Sequence, residues 1–363
     1  MHPIIELQEY IPESNAIIRE DLGLIASTKL PWNSLRDKTV LVSGGGGFLA
    51  AYLVKSLLAA GRLYKLNIKV ICLVRNTLGL EIRLSSYLGS PDLSVVQHDI
   101  SQPLPCDFPC ADIIVHSASQ ASPKFYGIDP VGTLLANTAG TMYLLEHAVK
   151  SKAEKFLFFS SGEVYGIPVD PNKLVGEKDY GYLDPINVRS CYAESKRIGE
   201  TMCAAWAQQY DLHTCVVRPF HTYGPGMALD DGRVFADFVA DVVTKRDIVL
   251  KSDGLAQRPF CYIADATIGF LTVLLTGNKA EAYNIANPDT EISIRELAVL
   301  VADLFPDRGI GVQFDLPIKS NAYLQSPTTR SCPSIEKIKT LGWFPTTDLH
   351  DGFYRTIQSY LSF

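Results

Sequence analysis

Tyr192 and Lys196 stand four residues apart in the stretch CYAESKR. On a helix that spacing puts both side chains on one face. A phenol titrates at about 10 and is a poor base at neutrality. A neighbouring ammonium favours the ionised form and lowers that value by about 1–3 units. The pair is therefore suited to taking a proton from a hydroxyl. Upstream, FFSSGEVYG offers two further groups. Ser161 can hydrogen-bond the reacting hydroxyl. Glu163 can act as a second base, or simply bond the backbone of its turn.

A third signal lies nearer the start. LVSGGGGFLA, residues 41–50, sets glycines between two apolar runs. Read as Gly44-x-x-Gly47-x-x-Ala50, it is a phosphate-binding turn between a strand and a helix. Gly44 permits the tight turn, Gly47 lets the backbone approach a pyrophosphate, and Ala50 is small enough for the helix to pack on the strand. A helix opening at Phe48 and Leu49 then offers free N–H groups and partial positive charge to the phosphates. At the end of the second strand an acid normally bonds the adenine ribose. Here Arg75 follows Val74. An arginine there suits a 2′-phosphate, hence NADP, or it caps the strand end in solvent. Asp99 and its neighbour Ile100, after a third apolar run, are placed to meet the adenine.

These groups need a scaffold. Apolar runs at 39–44, 69–74, 93–99, 111–118, 155–161 and 213–220 read as strands. Stretches at 48–61, 130–151 and 191–210 read as helices between them, with Gly61 ending the first. Continuous apolar strands alternating with helices predict an α/β fold, a Rossmann-type doubly wound parallel sheet covered on both faces. After residue 220 the elements shorten, with helices expected near 232–244, 263–276, 293–304 and 334–341. A smaller mixed α/β C-terminal substrate lobe is expected there. The expected units are an N-terminal helical extension (1–38), a dinucleotide-binding domain with the catalytic helix (39–220) and the substrate lobe (221–363).

The chain has 363 residues, 47% of them hydrophobic, enough to give both lobes a core. Its net charge of −6, with no basic block, argues against nucleic acid as a partner. No apolar run reaches the roughly 18–20 residues that span a bilayer. The early acids in MHPIIELQEY argue against a secretory signal, so a cytoplasmic location is expected. The eight scattered cysteines then read as reduced thiols, and no metal-ligand pattern is formed.

The glycine turn, Ser161, Tyr192 and Lys196, in that order and on those elements, resemble the extended short-chain dehydrogenase/reductase family of NAD-dependent epimerases and dehydratases. The resemblance runs from residue 39 to about 358. The branch it is most similar to is that of the UDP-glucuronate decarboxylases. SASQASPKFY, NTAGT, SSGEVYG, RSCYAESKRIGETMCAAW, HTYGPGMALDDGRVFADF and LGWFP carry that likeness. It implies bound NAD, with Ser117, Asn137, Lys196 and Pro219 joining the glycine turn as contacts. It implies Tyr192 as the base, Ser161 as its helper and Lys196 as the group that tunes it. Contacts to a nucleotide-sugar substrate are implied for Lys124, His221, Arg233, Arg258 and Arg330, the last near the diphosphate. The activity implied is decarboxylation of a UDP-hexuronate such as UDP-glucuronate through a transient 4-keto sugar. The alternatives are 4-epimerisation or 4,6-dehydration, and more remotely a catalytically silent NAD-binding protein. In this family the helices matching 130–151 and 191–210 pair across a homodimer as a four-helix bundle; complete burial within one subunit is the other reading.

Several positions depart from the family pattern. Ala50 stands where a third glycine is usual, His221 where an asparagine is usual, and Gly226 where an arginine follows Gly-Pro. Gly162 stands where the dehydratases carry an aspartate that serves the departing hydroxyl. A glycine cannot donate, which argues against dehydration, while Glu163 argues mildly against a simple epimerase. His221 can also be a satisfied loop residue and Lys124 a solvated one. Phe125 and Tyr126 can flank a sugar or merely pack.

Overall fold

The computed structural model describes residues 10–315 and 328–361. Seven strands form one parallel sheet. Six of them are β1 (Thr39–Ser43), β2 (Lys69–Val74), β3 (Leu93–Gln97), β4 (Ile113–His116), β5 (Lys155–Phe159) and β6 (His213–Pro219). The seventh, Glu281–Ile285, lies beside β6, and the spatial order from there is β6, β5, β4, β1, β2, β3. The inner strands are apolar on both faces because both faces are covered, while the edge strand β3 is only partly buried. Val40 and Val42 join the core on one side of the sheet, and Leu41 joins the core on the other. The chain runs outward from β1 to β3 and returns to β4 on the other side of β1. That reversal opens a crevice at the carboxyl ends of β1 and β4, where ligands bind in such sheets.

β2 spans the predicted 69–74, and the other predicted strands are found with shorter ends. The predicted helix over 130–151 is instead two helices, Pro130–Asn137 and Ala139–Lys150. Thr138 sits between them with its hydroxyl on the Leu134 carbonyl, and the Thr141 hydroxyl bonds the Asn137 carbonyl. Such back-bonding threonines bend helices. Beyond residue 220 the helices are Val234–Val243, Ile263–Thr276 and Ile294–Asp303, close to expectation, a short Glu336–Lys339 turn of helix, and an unpredicted helix, Leu349–Leu361. Because Glu281–Ile285 returns to the main sheet, this part of the chain is built onto it.

Residues 1–38 were expected to form a helical extension; residues 1–9 lie outside the described residues. The rest forms the Ala16–Ser27 helix and a short turn at Trp32–Leu35. This helix is part of the core, with Leu22 and Ile25 wholly buried. Asn15 caps it and also donates from Nδ2 to the Ser359 carbonyl at 2.9 Å. Asp21 is buried and receives the hydroxyls of Tyr52 (3.1 Å) and Tyr262 (2.8 Å) and the Arg355 guanidinium (2.8 Å). One carboxylate thus joins the N-terminal helix, the Phe48–Leu63 helix, the C-terminal part and the Leu349–Leu361 helix.

Candidate active site

The turn after β1 leaves no room for a side chain at Gly44 or Gly45 and little at Gly46 and Gly47. Gly44 holds φ +70°, and a Cβ on it would lie 2.8 Å from Ala118 Cα. On Gly45 it would lie 2.6 Å from Cys72 Sγ, and on Gly46 3.0 Å from the Gly79 backbone. Gly47 stands 3.1 Å, by the same measure, from the Gly44 carbonyl oxygen, to which it donates its own N–H at 2.7 Å. Spacing had explained Gly44 and Gly47; Gly45 is required by Cys72 of β2, and Gly46 is closely packed on the Leu78–Arg83 helix. Gly47 opens the Phe48–Leu63 helix without a capping side chain, so the first N–H groups, at Phe48 and Leu49, are left for a ligand. Ala50 is buried as predicted.

Around this turn, Ser117 donates to the Ser43 carbonyl at 2.5 Å and joins the ends of β1 and β4. Asn137 is fully buried, with Nδ2 on the Ser195 hydroxyl at 3.0 Å and Oδ1 without a partner. Ser119 Oγ is likewise buried and unpartnered. Arg75 is the first residue beyond β2 and is exposed. Asp99 is also exposed; the Ser101 N–H (2.9 Å) and hydroxyl (2.8 Å) hold its carboxyl below the usual range, with Arg75 adding to this. Ile100 is buried against Gly140. A side-chain-free phosphate turn with orphaned polar atoms beside it fits a nicotinamide dinucleotide.

The loop after β5 and the helix beyond it carry the predicted Ser161, Glu163, Tyr192 and Lys196. Ser161 caps the short turn Gly162–Tyr165 and accepts from the Glu163 N–H at 3.2 Å. The Val188–Ser190 turn leads into the Cys191–Tyr210 helix, whose first turn carries Tyr192. The Tyr192 ring is buried and stacks on Tyr126, with centroids 5.1 Å apart and planes at 16°. Tyr126 is thus a packing residue beneath the phenol. Lys196 lies one turn on, with Nζ 5.7 Å from the centre of the Tyr192 ring, on the shared face that the spacing predicted.

The electrostatics differ from expectation. Burial raises the Tyr192 phenol above its ordinary value, and the ammonium does not reverse this. The groups that favour the phenolate are Ser161, through a hydrogen bond, and Arg233, through its charge; Glu163 opposes it. Lys196 is itself buried, which lowers it to about 7, and its Nζ donates to the Phe159 carbonyl at 2.6 Å. A lysine whose ammonium is disfavoured by burial and turned to a carbonyl does not count among the groups that favour the phenolate.

The substrate-side residues divide into two sets. Arg233 acts on Tyr192, Tyr126 and His221 together, while donating to the Ala121 carbonyl (3.1 Å) and pairing with Asp231 (3.3 Å). His221 has a buried, unpartnered Nδ1. Burial, with the charges of Arg258 and Arg233, lowers it to about 3, so the ring is neutral at physiological pH. These residues extend the centre formed by Ser161, Glu163 and Tyr192. Lys124 is exposed and donates to the Asp230 carbonyl at 3.0 Å. Arg330 is turned to Glu291 (2.7 Å) and the Pro171 carbonyl (2.5 Å), at the rim rather than at the phenol.

Three residues escaped the sequence reading. Phe220 fills the space over Gly162, where a Cβ would lie 2.7 Å from its ring. Arg83 donates to the Gly46 carbonyl (3.1 Å) and the Gly226 carbonyl (2.8 Å), joining the glycine turn to the loop where the usual arginine is missing. Arg189 reaches Glu163 Oε2 at 3.4 Å. Only the Arg189 position had a signal, since it lies within RSCYAESKR.

The model of the NAD dependent epimerase/dehydratase family matches residues 40–286, which include the glycine turn, Tyr192, Lys196 and the seventh strand. The chain belongs to that family. Among curated members, UDP-glucuronic acid decarboxylase 6 of Arabidopsis thaliana is 35% identical over 315 residues, covering 86% of each chain. UDP-glucuronic acid decarboxylase 1 of Danio rerio is 32% identical over 366 residues, covering 98% of this chain and 82% of the relative. Among solved structures, dTDP-glucose 4,6-dehydratase from Streptomyces venezuelae, determined with NAD bound, superposes with a TM-score of 0.76. It is 25% identical, with 89% of this chain and 97% of that chain covered. Within this epimerase/dehydratase chain, Arg330 falls outside the matched segment while Arg189, His221, Arg233 and Arg258 fall inside it.

Proposed function

We propose that the protein is an NAD-dependent nucleotide-sugar decarboxylase that acts on a UDP-hexuronate such as UDP-glucuronate. The observation that carries this is the pairing of Gly162 with Phe220. Phe220 occupies the place where an acid for dehydration would project, and Glu163 is the carboxylate whose charge reaches Tyr192 among the described residues. The two decarboxylase relatives, matched over most of the chain, support the same choice of reaction.

The cofactor would supply a reversible sink for the C4 hydrogen and its electron pair. Gly44, Gly47, Phe48 and Leu49 would hold its phosphates, Asp99 and Ile100 its adenine end, and Ser117, Asn137, Lys196 and Pro219 its nicotinamide half. Tyr192, as phenolate, takes the proton of the sugar 4-hydroxyl, with Ser161 bonding the same oxygen. The resulting ketone makes the C5 carboxylate that of a β-keto acid. The bond from C5 to the carboxyl carbon breaks, CO2 leaves, and the electron pair passes to the C4 oxygen as an enolate. A proton from water is added to C5 in place of the lost carboxylate, C4 is reduced again, and Tyr192 gives its proton back to the C4 oxygen. Arg233 lies near the phenol and stabilises negative charge there in each half of the cycle. His221 and Arg258 would bind the substrate, with Lys124 and Arg330 at its outer edge. Because the cofactor ends as it began, tightly held NAD is expected rather than NADP. The charge of Arg75 is already felt by Asp99 and Asp129.

Val131, Leu134 and Leu135 on the Pro130–Asn137 helix and Ile198 on the Cys191–Tyr210 helix expose apolar side chains, which supports a homodimer formed through these helices. The buried, unbridged Cys72, Cys191, Cys203, Cys215, Cys261 and Cys332 suit the reducing cytoplasm. No helix among the described residues is long and apolar enough to cross a membrane.

The deciding experiment incubates the purified protein with UDP-glucuronate and with neutral UDP- and dTDP-hexoses, reading CO2 and product mass. CO2 from UDP-glucuronate alone is expected, from a protein that yields NAD on denaturation and runs at twice the chain mass in light scattering. Epimerisation or water loss from a neutral hexose, without CO2 from the uronate, overturns the assignment.

A further inference from the structure

Arg189 sits in the single turn that feeds the catalytic helix, three positions before Tyr192. Its backbone N–H is fixed by Asn187 Oδ1 at 3.0 Å. Its side chain is 17% exposed, yet Nε is buried and has no acceptor among the described residues. Among those residues its guanidinium makes one ionic contact, Nη1 to Glu163 Oε2 at 3.4 Å, which is long for a charge-assisted bond. Leaving a buried donor unpaired is costly, the more so when it belongs to a charged group.

The other cations of the region are already engaged. Arg233 has Ala121 and Asp231, Arg330 has Pro171 and Glu291, and Lys196 has Phe159. Arg258 bonds the carbonyls of Gln257, Thr328 and Thr329. Arg189 alone among these arginines combines a buried donor lacking an acceptor among the described residues with contact to Glu163, which in turn acts on Tyr192. Tyr126, stacked on Tyr192, feels Tyr192, Glu163, Arg233 and Arg189 together, which gathers these groups around one point. Contact through Nη1 leaves the Nε–Nη2 edge of the guanidinium, a fork that matches the two oxygens of a carboxylate.

We propose that Arg189 is the specificity residue that receives the substrate's carboxylate, with Glu163 holding the guanidinium in place until substrate arrives. This rests on the decarboxylase reading above. The bound anion lies on the carbon next to the one oxidised. When the carboxyl bond breaks, its electron pair stays with the sugar and CO2 departs neutral. Arg189 then has no anion to hold, and it returns to Glu163. The same residue thus selects an acidic sugar and releases a neutral one.

The test compares Arg189→Met and Arg189→Lys with the wild type. Arg189→Met should raise KM for UDP-glucuronate by about 10- to 100-fold, the equivalent of one charged hydrogen-bonded pair. Its Kd for UDP-xylose, the product without the carboxylate, should stay within about twofold, and Arg189→Lys should recover part of the KM. Equal weakening of both ligands, or an unchanged KM, overturns the proposal. Calorimetry separates this from failure of the reaction assignment. If the wild type releases no CO2 yet binds UDP-glucuronate more tightly than UDP-glucose, and Arg189→Lys narrows that preference, the carboxylate site stands and only the reaction falls. Equal wild-type affinity for the two sugars overturns both.

Discussion

Ser161 acts on Tyr192 at the level of one hydrogen bond. The phenol's value is raised by burial and drawn back by Ser161 and Arg233. Removing the serine hydroxyl removes one of those two opposing influences, so the phenolate forms only at higher pH. Ser161→Ala should therefore move the rising limb of the pH profile of kcat/KM to higher pH, and lower kcat by about 10²-fold through loss of a donor at the developing oxyanion. Stopped assays between pH 6 and 10 would show it (about the span in which such groups titrate). A limb that stays in place would mean that Ser161 does not touch the titrating group. The types and order of Ser161, Tyr192 and Lys196 were readable because their spacing is short and local. The direction of the Tyr192 shift was not, because it depends on how deeply the helix is buried and on which way Lys196 turns, and neither is written in the four-residue interval.

At the scale of elements, the glycine turn and the Leu78–Arg83 helix are in backbone contact. A Cβ on Gly79 would lie 2.6 Å from the Gly46 carbonyl oxygen. Gly79→Ala must therefore push the phosphate turn, although Gly79 is remote from it in the sequence. The expected result is a folded protein that loses its dinucleotide on gel filtration, with about 10-fold or greater weakening, since a small displacement of backbone donors is felt fully in a close contact. Fluorescence titration with NADH checks it, and unchanged affinity would show that the turn tolerates the shift. Strands β1, β2, β4, β5 and β6 were legible because continuous apolar runs mark strands buried on both sides, and β3, at the sheet edge, was read from its shorter apolar run. The bend at Thr138 was not, since the same apolar pattern runs through both helices and only the hydroxyl bonds to Leu134 and Asn137 divide them. Gly45, Gly46, Phe220 and Arg83 were illegible for a shared reason: each is set by a partner distant in the chain.

Over the whole molecule, Asp21 makes stability depend on pH. Burial raises its carboxyl from 3.8 to about 6, against the pull of Arg355, Tyr262 and Tyr52. A folded-state value above the unfolded one means that the native protein holds the proton more tightly. The stabilisation from this group is therefore full below about 4 and is lost as the pH rises through about 6. Asp21→Asn should flatten that part of the stability curve, which otherwise changes by on the order of a few kcal/mol. Urea unfolding of both proteins at a series of pH values measures it; parallel curves would remove Asp21 as the source.

The N-terminal helix also has a history in time. Asn15 finds its partner Ser359 across a separation of 344 residues, and Asp21 finds Arg355 across 334. On a ribosome adding about 5–20 residues per second, the helix waits roughly 17–70 s between its own synthesis and that of the segment that locks it. Throughout that interval Leu22 and Ile25, wholly buried in the finished protein, lack part of their final cover. The nascent chain is then at its most adhesive, and a chaperone that shields short apolar helices would find this one early and release it last.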